Sequence, residues 1–322
     1  MSNQMPARDE FDAILEEQPA PPGTAPDHDA HETYHEIAAP HTMPGWSDFE
    51  AGWPIYKDPI LCGSAAGLVL GVLGVFIVLR RAVFVTAAVS QAAGLGVALA
   101  FYSAIHLGFA LSPALGALLF SLLCTAILAL PSERRIARDT VIGISYVTTS
   151  ALALLVGDRI SQEAHDVSAI LFGSAVVVRP VDLGLVLGVG LLALLALGMT
   201  GRGLVFAGFD PDGARVQGVP VRALEVGFWL VVATMVAVST RALGSLPVFA
   251  FAVLPASGAL ALARSVRSAA LLAGVCGTLA GSLGYLVAFF GELPVGASQT
   301  GVAAVLTLVL VVAGRLRSRF GR

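Results

Sequence analysis

Long apolar runs separated by short polar breaks make up most of the chain from residue 60 onward. They fall at 60–79, 82–105, 112–131, 140–157, 181–200, 223–240, 246–263, 269–290 and 297–314. Each is close to the ~20 residues that an α-helix needs to cross a bilayer, so the pattern predicts nine transmembrane helices. Gly and Ala crowd these runs, as in "AAGLGVALA" (92–100); small residues let helix backbones approach closely in lipid. A further apolar run, "VSAILFGSAVVV" (167–178), is too short to span and reads as a re-entrant or interfacial helix. The expected fold is all-α, a polytopic integral membrane protein.

Two polar regions interrupt this pattern. "GFDPDGARVQGVPVR" (208–222) is a compact charged island, punctuated by Gly208, Pro211 and Pro220. It has the length of a short amphipathic helix. Ala214, Val216 and Val219 would supply apolar contact to a partner, with Asp210, Asp212 and Arg215 as a polar rim; the plainer alternative is a solvated loop. The other region is the N-terminal stretch, rich in Pro, Ala, Asp, Glu and His and without apolar periodicity. Such a composition cannot bury enough apolar surface to order itself. "GWPIYKDPI" (52–60) then has the aromatic content of an interfacial lead-in. The chain divides accordingly into an acidic, His-containing disordered tail (1–50), a membrane domain (51–314) and a basic tail (315–322).

Composition agrees with lipid as the main solvent: the chain is 56% hydrophobic and only 13% charged, with mean hydropathy +0.82. The net charge of −3 hides an asymmetry. Twelve of the 22 acids lie in residues 1–59, beside only Arg8 and Lys57. Taking the spans in order, alternate loops and the C-terminal tail collect fourteen Arg residues, and the opposite loops hold Arg159, Arg179 and Arg241. Positive charge marks the cytoplasmic side. That places the island and the C-terminus in the cytoplasm, at the cytoplasmic (inner) membrane, with the N-terminus outside. An eight-span reading would put the N-terminal tail inside. No basic face with interleaved aromatics appears, so nucleic acid is not a partner. Membrane lipid is.

Chemistry in the spans is sparse. Ionisable residues inside a bilayer are costly and mark function, yet Asp139, Asp158, Glu225 and Arg241 all sit at span boundaries. That disfavours a proton-coupled or sodium-coupled carrier. The phosphate-binding pattern G-x-x-x-x-G-K-[ST] requires a lysine, and the only lysine, Lys57, lies outside any such motif. ATP-driven transport would therefore need a separate ATPase chain. Cys62, Cys124 and Cys276 form no C-x-x-C pair and read as small buried hydrophobes.

Candidate site residues remain. Ser145, Thr148 and Thr149 share a helix face, with Tyr146 beside it; they line a path or serve as hydrogen-bonding contacts between helices. Ser90 and Gln91 offer the same two readings. His106 stands at the outer end of its span, as an entrance ligand or an interfacial histidine. His165 and Asp166 adjoin the short re-entrant run on the outer side, as candidate weak metal ligands. In the tail, His28, His31, His35 and His41 are interleaved with carboxylates and suit loose binding of divalent cations.

Several segments in order resemble the permease subunits of the zinc/manganese/iron ABC importer family. "GVLGVFIVLRRAVFV" (71–85) is similar to the family's first span and its double-Arg turn, and "RDTVIGISYVTTSALAL" (138–154) to its fourth span. "DVSAILFGS" (166–174), "GFDPDGARVQGVPVR", "LGSLPVFAFAVLPASGALALARS" (243–265) and "LPVGASQTGVAAVL" (293–306) resemble later blocks. The resemblance covers about residues 50–314 and implies a transport subunit, not an enzyme. It implies that Asp210, Pro211, Asp212, Ala214, Arg215, Gly218 and Pro220 form a coupling helix that transmits closure of an ATPase pair. The partners it implies are an ABC ATPase subunit that hydrolyses ATP, a second copy of the permease and an extracytoplasmic metal-binding receptor; this chain would bind no cofactor. One departure stands out. Where the family commonly reads D-x-x-S-H-A-x-x-P-G, this chain reads "AAVSQAAGLG" (87–96). Ala87 and Gln91 replace the Asp and His that suit Zn²⁺ or Mn²⁺. The substrate is then a divalent transition metal or, if the path has been repurposed, a chelated or uncharged one; a scaffold that transports nothing is a further alternative.

Overall fold

The computed structural model describes residues 44–109, 111–129, 137–160 and 178–320. Among these the architecture is wholly helical. A short helix, α1 (Trp46–Ala51), leads into α2 (Trp53–Leu79), α3 (Val83–His106), α4 (Pro113–Ala129) and α5 (Arg138–Ile160). Then follow α6 (Pro180–Phe209), the short α7 (Pro211–Val216), α8 (Val221–Leu243), α9 (Ser245–Leu262), α10 (Val266–Gly291) and α11 (Val295–Phe320). Eight of these are long and apolar enough to cross a membrane, and α4, with 17 described residues, is the shorter ninth. The nine apolar runs thus each become a helix, and the protein is a multi-pass membrane protein.

The boundaries differ from the hydropathy reading at both ends. α2 begins at Trp53, before the apolar run, because Pro54 sits in the first turn, where its missing N–H costs nothing. α1 starts at Trp46, inside the stretch expected to be tail. Phe49 is buried there, stacking on Tyr56 at 5.7 Å and meeting Phe289 edge-on at 5.2 Å. The basic residues from Arg315 onward continue α11 as far as Phe320. The short run at 167–178, apart from Val178, and most of the N-terminal tail lie outside the described residues.

The centre of the molecule is α2, packed against α6, α9 and α10. Its contact with α10 is backbone on backbone. A Cβ at Gly67 would strike the carbonyl oxygen of Gly277, and one at Gly277 would strike that of Gly67. Neither helix could come this close with any larger residue, which is how lipid-embedded helices gain dispersion contact without a hydrophobic driving force. Gln299 of α11 is fully buried beside the same seam, donating from Nε2 to the Gly281 carbonyl at 3.1 Å. α8 and α9 are joined by the single residue Gly244, at φ 91°, a positive φ that a side chain would strain.

α3 packs on α4 and α5, and α8 closes the group by contacting α4, α6 and α3. α5 and α6 expose long apolar faces, including Leu154, Leu155, Leu191 and Leu192. All three cysteines are buried and unpaired, as expected of small apolar side chains.

Candidate translocation path and coupling surface

The α2–α3 turn, the end of α6, α7 and the start of α8 come together at one end of the molecule, around a cavity of about 430 Å³. Arg80, Arg81, Arg215 and Glu225 line it, with Pro211 and Trp229. The charged island of the sequence lies here.

α7 is a real but brief helix of six residues. Asp210 precedes it, and its Oδ1 accepts the Gly213 N–H at 2.9 Å, satisfying an otherwise orphaned donor of the first turn. Pro211 occupies the first helical position, where proline fits best. Gly218, at φ 78°, reverses the chain, and Pro220 caps α8. Asp212 and Arg215 form an ion pair at 2.8 Å with 88% and 65% of their side chains exposed, which contributes little to stability. One expectation is corrected. Ala214 is fully buried, because so short a helix holds to its neighbours only by turning its one small apolar residue inward. Val216 is 88% exposed and Val219 half-buried, and Phe209, just before α7, is exposed too.

The polar residues of α3 and α5 lie on adjacent, packed helices. Ser90 is buried and donates to the Ala87 carbonyl at 3.0 Å, and Gln91 is half-buried beside it. On α5, Thr149 Oγ1 donates to the carbonyls of Ser145 (2.7 Å) and Tyr146 (3.2 Å), so its hydroxyl is spent within the helix. Tyr146 and Thr148 are exposed. A second cavity, of about 620 Å³, opens between these helices near the basic end. Ala87, Phe84, Tyr146, Asp139, Arg81 and Phe249 are among its walls. Of the candidate path residues it takes in Tyr146 but not Ser90, Gln91, Ser145, Thr148 or Thr149. The site of the carboxylate-to-alanine departure thus faces an open, largely apolar space.

His106 stacks on Tyr102 with ring centres 4.5 Å apart, in an exposed position at the far end of α3. His28, His31, His35, His41, His165 and Asp166 lie outside the described residues. Among the described residues, no three His, Cys, Asp or Glu side chains are placed to hold a metal ion together.

Three features escaped the sequence reading. Asp182, in the first turn of α6, pairs with Arg241 of α8; Arg241 was visible as a charge at a span boundary, but its partner was not. Gln299 fills the seam of α2 and α10. Arg80, at the end of α2, is half-buried and reaches into α6 and α8. Burial lowers the pKa of its guanidinium, an effect that Glu225 opposes.

The sequence profile of the ABC 3 transport family matches residues 54–314. The chain belongs to that family. It is the membrane permease component of an ABC transporter and not an ATPase. Among relatives, it is 31% identical over 256 residues to the manganese import system permease protein ScaB of Streptococcus parasanguinis, covering 79% of this chain and 88% of that protein. It is 28% identical over 262 residues to YfeD of Yersinia pestis, a chelated iron transport system membrane protein, covering 81% and 85%. The solved structure of PsaBC from Streptococcus pneumoniae in complex with Fab superposes with a TM-score of 0.72 at 27% identity, over 82% of this chain and 94% of that one. In this ABC permease the family match runs from the start of α2 into α11.

Proposed function

We propose that this chain is the permease subunit of an importer for a divalent transition metal, manganese, iron or zinc, driven by a separate ATPase. The family match over the whole membrane domain carries this reading, and the names of ScaB and YfeD point it toward manganese and iron. The basic end faces the cytoplasm by the excess of arginine there, so the C-terminus is inside and the N-terminus outside. α7 is the coupling helix on which the ATPase bears. The functional unit pairs two permeases with two ATPase subunits, and an extracytoplasmic receptor delivers the metal. An external tail with His28, His31, His35 and His41 would concentrate the cation near the entrance, and His165 and Asp166 would meet it there.

The test is total cellular manganese, iron and zinc in a deletion strain under metal limitation, with and without the restored gene. A rescued drop in one metal names the substrate; no change in any of the three removes the metal reading.

A second reading is favoured by one observation. Ala87 lines a cavity of about 620 Å³ whose walls are mostly apolar, and alanine offers a bare metal no ligand. A metal wrapped in an organic chelator would suit such a space. Uptake of a radiolabelled metal presented free or chelated separates the two.

A further inference from the structure

The turn between α2 and α3 is held by one side chain that reaches three helices. Arg80 Nη2 donates to the Leu204 carbonyl of α6 at 3.1 Å, and Nη1 to the Phe76 carbonyl of α2 at 3.3 Å. Its guanidinium carbon lies 4.7 Å from the centre of the Phe228 ring on α8. α6 and α8 are the helices that enter and leave α7. One planar cation therefore joins both arms of the charged island to the end of α2.

Building on the ABC-permease reading above, we propose that Arg80 is the positioning residue through which movement of α7 reaches α3. The cavity of about 430 Å³ lies between α7 and the α2–α3 turn. α7 makes its contacts with α6 and α8, so a load on α7 passes through those two helix ends. Arg80 touches both of these helices from the turn, beside the direct packing of α8 on α3. On the other side of the turn, α3 begins at Val83, three residues on, and carries Ala87, Ser90 and Gln91. The turn is short and constrained: Arg81 N–H donates to the Val78 carbonyl at 2.9 Å, Ala82 N–H to Ile77 at 3.2 Å, and Arg81 sits at φ 53°. A non-glycine residue held in the left-handed region marks a backbone fixed by its surroundings. Behind it, α2 is fixed to α10 by the glycine seam, so displacement at Arg80 is relieved toward α3.

The contacts require arginine. A planar fork donates to two carbonyls on different helices while its face lies over an aromatic ring. A lysine would supply charge to the end of α2 but only a point donor. A plain cap of the α2 C-terminus would be satisfied by either.

The experiment uses the complete complex of permease, ATPase and receptor in proteoliposomes, with Mn²⁺ as the probe. Transported Mn²⁺ per ATP hydrolysed is compared for wild type, Arg80→Gln, Arg80→Lys and Arg202→Gln. Arg202 is an exposed charge near the same end of α6 and serves as the control. Both Arg80 variants are expected to lose about tenfold in that ratio, as for loss of a charge-assisted hydrogen bond and a cation–π contact. ATPase activity and assembly should be retained, the melting temperature should fall by only a few degrees, and Arg202→Gln should match wild type. An unchanged ratio in Arg80→Gln, or full coupling in Arg80→Lys, overturns the proposal. So does a parallel fall of transport, ATPase activity and melting temperature, which marks a structural cap. If wild type moves no Mn²⁺, the substrate reading fails separately. Arg80 is then judged by nucleotide-driven change in the distance between spin labels at the exposed positions 84 and 217. That change should shrink in Arg80→Gln, and an undiminished change overturns the relay.

Discussion

Asp182 and Arg241 face each other across α6 and α8, with Oδ1 3.0 Å from Nη1 and only 11% and 16% of their side chains exposed. They lie at the end opposite the basic one, where α6 begins and α8 finishes. The charges are close, but Oδ1 has no aligned hydrogen bond, so the attraction is mainly coulombic.

Removing one partner strands the other in a poorly solvated position. Asp182→Asn or Arg241→Gln should lower stability in detergent by about 3 kcal/mol. The double variant Asp182→Leu with Arg241→Leu should recover most of it, because two apolar side chains leave no unpaired charge. Thermal unfolding of wild type and the three variants measures this; a double variant less stable than both single variants would mean that the residues do not act as a pair.

The glycine seam makes a sharper demand. Gly67→Ala drives a methyl group into the Gly277 carbonyl and should cost about 1–3 kcal/mol, the usual range for overpacking. Gly188→Ala on α6, where an added Cβ meets nothing within 4 Å, should be neutral or slightly stabilising. Melting temperature and folded yield of the two variants compare them directly.

At α7 the expectation is a functional loss without a stability loss. Asp212→Ala with Arg215→Ala removes an exposed pair and should shift stability by less than about 0.5 kcal/mol. If α7 receives the ATPase, the double variant should uncouple hydrolysis from transport. Normal metal uptake by that variant would remove the docking role.

The path itself can be tested by restoring the family's residues. Ala87 borders the cavity shared with Asp139 and Tyr146, so Ala87→Asp with Gln91→His places a carboxylate at that cavity and an imidazole one helical turn away. Uptake of free Mn²⁺ should rise if bare metal passes this way. No gain, together with retained uptake of chelated metal, would assign the path to the larger substrate.

What the sequence determined alone follows from local physics. A run of about twenty apolar residues has one stable form in lipid, a helix that satisfies its own backbone, and all nine runs are helices here. The charged island was legible as a short polar segment of helix length, but the sequence left helix and solvated loop open; the structure shows the helix, with Asp210 capping it and Gly218 reversing the chain. The family's motifs, being contiguous, were legible too. Only the tertiary structure decided which faces meet. α2, α3, α6 and α9 are apolar all round, so no periodicity marks their buried side; which glycines of α2 meet α10, and whether Ala214 of α7 turns inward, is set by neighbours distant in sequence. The same holds for the polar links. Arg80 and Leu204 are 124 residues apart, and nothing local to either announces the other; their hydrogen bond exists because α2 and α6 pack side by side.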